Sequence, residues 1–215
     1  MTDEPEDEAL LEAWRAGDRK AGASLFSRHY DLVVRFFVNK VGVDEQPDLI
    51  QRTFLACVEG KERVRSDRFR NYLLGIAFRQ LYKHYERRRG ERARLDFGTV
   101  SVEDLDPSPS QIVVRHDEQR LLLAALRKIP LESQVVLELV YWEGYTANRL
   151  AEVLGVPLGT AKTRIRRGRQ LVEQQLEALA RSPQLLDSTR LNLDQWAQGL
   201  RDLASPGNEG GPSAR

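Results

Sequence analysis

Residues 146–172, TANRLAEVLGVPLGTAKTRIRRGRQLV, admit few folds. Leu150, Ala151 and Leu154 recur at helical spacing before a Gly-Val-Pro break, and Ala161, Ile165, Gly168 and Val172 recur at spacings of four, three and four after it. Two short helices meeting at a steep angle need a small residue at the crossing, a turn residue that accepts positive φ, and apolar side chains that lock the pair. Ala151 fills the first role, Gly155 the second, and Leu150, Leu154 and Val156 the third. Thr146 is expected to cap the first helix and Thr160 the second. The pattern predicts a helix-turn-helix.

If Ala161, Ile165, Gly168 and Val172 face inward, then Thr163, Arg166, Arg167 and Gln170 face outward, flanked by Lys162, Arg164 and Arg169. A run of cations usually marks only a solvated face. Here the first acid after the turn is Glu173, so the i,i+4 pairing that a solvated helix uses is missing. Outward side chains that reach base edges, with flanking cations on phosphates, make duplex DNA the expected ligand.

The rest of the chain reads as helices. Apolar residues recur at three and four, and no β-branched alternation appears, so an all-α fold is expected. Residues 8–16, 19–40, 46–59 and 67–89 form four periodic segments that would close a small bundle. Between 96 and 111, DFGTVSVEDLDPSPSQ loses the helical period and gains Pro, Ser and acids, as a flexible acidic linker does. The expected layout is a first domain at 8–92, a linker at 93–111, a helix-turn-helix domain at 112–180 and an extension at 181–215. In the extension, Leu193, Trp196, Leu200 and Leu203 share one helical face, which is expected to cover apolar surface on this protein or on a regulator. The last dozen residues are expected to be disordered.

Net charge near +1 identifies no partner, but its distribution is uneven. Residues 61–94 carry 12 Lys/Arg against four Asp/Glu, whereas 96–118 carry six acids and one Arg. In the basic block, Phe69, Tyr72, Phe78, Tyr82 and Tyr85 alternate with Arg68, Arg70, Arg79, Lys83, Arg87, Arg88 and Arg89. Such interleaving serves unpaired nucleic acid, where bases stack on rings and phosphates meet cations. About half of these rings share helical spacing with Leu73, Leu74, Ala77 and Leu81, and belong to a core on that count.

The stretch DLIQRTFLACVE sets Asp48, Gln51, Arg52 and Leu55 along one side of a helix whose Leu49, Ile50, Phe54 and Val58 need burial. The pattern fits docking onto another protein's helix and fits equally an ordinary amphipathic surface.

Taken together, DLIQRTFL, FRNYLLGIAF and GYTANRLAEVLGVPLGTAKTRIRRGR resemble the sigma-70 family of bacterial RNA polymerase initiation factors, in its compact extracytoplasmic-function (ECF) group. The resemblance covers about residues 8–180. It implies an alternative sigma factor that binds core RNA polymerase and directs it to promoters. Asp48, Gln51, Phe54 and Leu55 would grip the polymerase clamp. Arg68, Phe69, Arg79, Lys83 and Arg87 would meet the minus-ten element, and Arg149, Thr160, Lys162, Thr163, Arg166, Arg167 and Arg169 the minus-thirty-five element. It also implies an anti-sigma factor as a candidate partner. The chain departs from the family at Tyr72, where Trp is common, at Phe78 and Arg79, where Arg then Asn are common, at Lys83, where an acid is common, and at Arg52, where Glu is common. Minus-ten preference therefore does not transfer from relatives.

A DNA regulator that uses the helix-turn-helix alone is the competing expectation, and the two diverge at Asp48 and Gln51. An enzyme has little support: no Gly-rich phosphate loop, no paired carboxylates in a pocket context and no Ser/His/Asp or Cys/His signature appear, so no catalytic residue and no cofactor are expected. Cys57 is the sole cysteine, and His29, His84 and His116 lack zinc-ligand spacing, so no disulfide and no metal are expected. No signal-peptide pattern or apolar run of ~18 residues appears, so no membrane insertion and a cytoplasmic location are expected.

Overall fold

Sequence periodicity alone predicts where the helices fall, and the computed structural model, which describes residues 4–64, 68–89, 96–106 and 112–206, places them closely. The first group is α1 (Glu4–Arg15), α2 (Arg19–Val38), α3 (Gln46–Gly60) with a 3₁₀ turn at Lys61–Arg63, and α4 (Phe69–Arg89). The second is α5 (Val102–Leu105), α6 (Asp117–Lys128), α7 (Leu131–Tyr141), α8 (Ala147–Leu154) and α9 (Leu158–Leu179). Beyond it lie α10 (Pro183–Leu191) and α11 (Leu193–Leu203). Among the described residues there is no strand, only an isolated bridge between Ser101 and Pro130.

Local chemistry explains the boundaries. Asp18 caps α2 by accepting from the amides of Lys20 and Ala21, and Ser182 caps α10 by accepting from Leu185. In α1–α4, Leu25, Val33, Phe37, Leu49, Leu73 and Leu81 meet in the interior. A buried pair, His29 Nε2 and Asp7 Oδ2 at 2.6 Å, pins α1 to α2. Cys57 lies inside this core, and burial pushes its thiol up to about 12. The thiolate is the reactive form, so Cys57 is expected to resist iodoacetamide at pH 8 until denaturant unfolds the chain. Mass spectrometry of the alkylated fraction along a urea series checks this.

The hydrophobic clusters do not divide where the sequence does. Val135, Val136, Leu139, Leu150, Val153 and Ala161 from α7–α9 belong to the same cluster as the core of α1–α4. Residues 96–106, expected to be a flexible linker, are packed instead: Phe97 and Val102 are buried, and a capping box between Ser101 and Asp104 starts α5. Tyr82 stacks on Phe97 with ring centroids 3.9 Å apart. Phe97 and Val102, with Val100 and Leu105 packed beside them, anchor this otherwise polar stretch. Residues 93–95 and 107–111 of the expected linker lie outside the described residues.

The extension holds two helices where one was expected. Leu193, Trp196, Ala197, Leu200 and Leu203 pack on a second cluster built from Ile112, Leu122, Leu126, Trp142, Val172 and Leu176. Their stripe thus covers this protein's own surface. Leu200→Ala is expected to cost about 2–5 kcal/mol, through lost transfer energy plus a cavity. Leu191→Ala, at a residue 84% exposed, should stay within about 0.5 kcal/mol. Urea midpoints of the two variants measure the contrast. The last dozen residues, expected to be disordered, begin at Ala204; Ala204 is instead buried and Ser205 is hydrogen-bonded to Arg35 and Arg201, while 207–215 lie outside the described residues.

Candidate nucleic-acid and protein-docking interface

The α8–α9 pair is the helix-turn-helix that the sequence predicts. Thr146 Oγ1 accepts from the Arg149 amide at 3.4 Å and caps α8. Gly155 sits at φ 65°, ψ 37°, a left-handed conformation that glycine adopts without Cβ strain, and Val156 N–H closes the turn on Ala151 O at 3.0 Å. Thr160 does not cap α9. That helix starts earlier, at Leu158 after Pro157, whose fixed φ suits the position just before a helix, so Thr160 falls within the first turn.

Ala161, Gly168 and Val172 are buried on α9. A Cβ at Gly168 would lie 3.1 Å from Leu137 Cγ, so glycine is what lets α9 approach α7. Lys162, Thr163, Arg166, Arg167, Arg169 and Gln170 are exposed. Two of the cations also serve the fold: Arg164 pairs with Glu132 on α7 at 2.6 Å, and Arg169 lies over the Tyr141 ring, 5.5 Å from its centroid. Arg149 is half-buried on α8. The outward face of α9 is therefore a basic, solvent-facing surface on a rigid helix, with the geometry of a duplex-reading element.

α4 presents two faces. Phe69, Leu73, Leu74, Ala77, Leu81 and Tyr85 enter the core of the first group, while Arg79, Lys83 and Arg87 are exposed. Phe69, expected among the nucleic-acid contacts, is only 1% exposed and lies against His29, 5.3 Å between ring centroids. It supports α4 rather than facing a ligand. Its helical spacing with Leu73 is the signal that marks it as core. Phe78 and Tyr82 stand beside each other, centroids 4.2 Å apart, half-buried against the cluster the two groups share. Arg68 pairs with Glu152 of α8 at 2.8 Å.

α3 carries a third surface. Its Leu49, Ile50 and Cys57 turn inward, whereas Leu55 is 56% exposed and Val58 is exposed beside it. Phe54 contacts Phe26 at 4.9 Å between centroids and stacks near Tyr30 at 6.2 Å, so α2 and α3 together form an open apolar groove with Gln51 at its edge. Asp48 is held by Arg52, at 2.9 Å. An apolar groove of this kind with a polar border suits a partner helix.

Sequence reasoning missed the acids that join the two groups. Glu138 of α7, 5% exposed, pairs with Lys40 after α2 and accepts from Gln134 Nε2 at 2.8 Å. Glu143, equally buried, accepts from Arg35 Nε at 2.9 Å and from Arg70 Nη2 at 2.6 Å. Neither acid has a Lys or Arg three or four residues away in the chain. That missing local partner is the one available signal that they pair elsewhere. Among the described residues no group of three or more His, Cys, Asp or Glu could hold a metal, and no helix is long and apolar enough to cross a membrane.

These features define an all-helical DNA-binding protein with a helix-turn-helix and a separate apolar docking groove. Residues 119–172 match the family model of sigma-70 region 4. The chain is 33% identical over 187 residues to the ECF RNA polymerase sigma factor SigE of Mycolicibacterium smegmatis, across 81% of this chain and 69% of that protein. It is 26% identical over 191 residues to the ECF RNA polymerase sigma-E factor of Haemophilus influenzae, across 83% of this chain and all of the relative. In fold it is similar to CnrH solved with the cytosolic domain of CnrY (TM-score 0.57, 21% identity, 81% of this chain and 99% of that one). It is also similar to RpoE of Bartonella quintana solved with the anti-sigma factor NepR (TM-score 0.55, 15% identity, 74% and 98%). The chain belongs to the ECF RNA polymerase sigma factors, alternative sigma factors that direct RNA polymerase in transcription initiation.

Proposed function

We propose a division of labour among the three surfaces. The α2–α3 groove docks core RNA polymerase, with Phe54 and Leu55 as apolar anchors, Gln51 at the border and Asp48 earlier on the same helix, outside the groove's lining. α4, through Arg68, Arg79, Lys83 and Arg87 beside Phe78 and Tyr82, takes the unpaired minus-ten strand. α9, through Lys162, Thr163, Arg166, Arg167 and Arg169, with Thr160 at its start and Arg149 on α8, reads the minus-thirty-five duplex. In chain terms, residues 8–92 act as region two, 93–111 as the connection, 112–180 as region four and 181–215 as an added element. The protein contributes no catalytic group of its own and acts in the cytoplasm with the polymerase. A captured base offsets the unpairing cost of a few kcal/mol and so favours the melted promoter.

The observation that carries this division is the exposure of Leu55 and Val58 beside buried Leu49 and Cys57 on one helix. A helix that needed only its own core would not leave two large apolar side chains in water next to two stacked aromatics. Leu55→Asp is expected to weaken binding to core polymerase at least 100-fold with the fold intact, because the side chain is largely solvated in the free protein. Fluorescence titration of labelled core polymerase measures it; wild-type affinity in the variant would overturn the assignment. An inhibitory protein partner is proposed on the likeness to RpoE, solved with the anti-sigma factor NepR, and to CnrH, solved with the cytosolic domain of CnrY.

A further inference from the structure

The two helical groups share an apolar cluster, and a polar seam beside the face proposed to take DNA adds charge pairs between them. Glu152 of α8 holds Arg68, at 2.8 Å, and accepts from Asn71 Nδ2 at 2.9 Å, while Tyr145 OH donates to Asn71 Oδ1 at 2.9 Å. Glu143 binds Arg70 and Arg35. Gly75 of α4 passes so close to α8 that a Cβ there would lie 3.5 Å from Val153 O. Phe78 and Tyr82 are half-buried against the shared cluster, and Tyr82 stacks on Phe97. A carboxylate thus stands where a phosphate would meet Arg68, and the rings that would stack on bases are partly covered, while Arg79, Lys83 and Arg87 remain exposed.

The extension reaches this seam. α11 covers the second cluster, and Arg190 of α10 pairs with Glu173 and Glu177 on α9. At the end of α11, Ala204 is buried in the second cluster, against which Val38 of α2 also packs. Ser205 Oγ accepts from Arg35 Nη1 at 3.2 Å, on the same guanidinium that grips Glu143. The match to sigma-70 region 4 ends at residue 172, so α10 and α11 lie beyond it.

We propose that α10–α11 is a latch that holds this sigma factor shut. In the shut form the α2–α3 groove and the outward face of α9 stay open, but Arg68 is held by Glu152 and the Tyr82 ring is taken up by Phe97. Polymerase docks first, and the minus-ten strand enters only after the seam parts. The masking of DNA rests on the assignment of α4 to the minus-ten element; the latch itself does not.

The test uses the full chain in three forms: wild type, Ala204→Arg, which sets a long cation at the buried end of α11 beside Arg35, and Glu143→Gln with Glu152→Gln, which removes the seam's charges and no apolar contact. Small-angle scattering is expected to give wild type a radius of gyration of about 17 Å, the value for a compact chain of this length, and each variant above about 20 Å. Circular dichroism reports that the helices persist. Binding of a mixed-sequence, 12-nucleotide single-stranded DNA without polymerase should tighten at least 10-fold in both variants, because apparent affinity scales with the fraction of competent conformer. If the double variant expands and Ala204→Arg stays compact with wild-type DNA affinity, the extension is not the latch. If neither expands, the shut form is not held by this seam and the proposal falls. If both expand without tighter DNA binding, the latch stands and the assignment of α4 fails.

Discussion

Glu138→Ala is expected to destabilise the protein by about 3–5 kcal/mol, the largest effect of any single substitution considered. Lys40 and Glu138 are 1% and 5% exposed, so neither has water to fall back on. The Lys40 ammonium donates to Phe36 O at 2.6 Å and lies 4.8 Å from the Phe36 ring centroid, and Glu138 takes a further hydrogen bond from Gln134. Removing the carboxylate leaves a buried ammonium with one carbonyl and a ring face, a poor exchange for hydration. Replacing both partners, Lys40→Met with Glu138→Leu, removes the charge and keeps the volume, so stability should return to within about 1–2 kcal/mol of wild type. Urea unfolding of the single and double variants separates the two cases. A Glu138→Ala midpoint equal to that of wild type would mean that water reaches the pair.

The second large effect concerns DNA. Arg166→Ala with Arg167→Ala should weaken binding to the upstream promoter duplex by about 10- to 1,000-fold, with thermal stability unchanged, since both side chains are exposed on α9. The two arginines can also be told apart. One that meets a base edge costs about 1–3 kcal/mol on its own promoter and relaxes specificity there; one that meets only phosphate lowers affinity on every sequence and reduces the salt slope by about one. Titrations at three salt concentrations, on a promoter that polymerase charged with this factor uses and on a scrambled duplex, distinguish them. Equal losses on both duplexes for both single variants would place the base contacts elsewhere on α9.

How legible each element was follows from the range of the forces that form it. α8, the turn at Gly155 and the inward residues of α9 were readable because capping, positive φ and 3.6-residue periodicity act within one or two turns. Thr160 was misplaced as a cap because Pro157 is an equally good start signal three residues earlier. Phe69 was misplaced as a DNA contact because aromatic–cation interleaving looks alike whether a ring points to solvent or into a bundle. The packed state of residues 96–106 was missed because this polar stretch, read together with the prolines that follow it, carries no period, and only its few apolar residues, Phe97 and Val102 foremost, mark that it is held. Among the residues proposed to meet polymerase, Leu55 and Gln51 are exposed as helical spacing implied, while the groove around them needs Phe26 and Tyr30 from another helix.

The sequence by itself determined the helices, the helix-turn-helix and the family, because each rests on spacing along one chain. The tertiary structure alone decided that Glu138, Glu143 and Glu152 reach cations on α2, on α4 and on the segments beside them, that α10–α11 seal the second cluster, and that Phe78 and Tyr82 of α4 are half-buried. Those partners stand about 70 to 170 residues apart in the chain. Coulomb attraction and apolar burial depend on distance in space, which no local periodicity records.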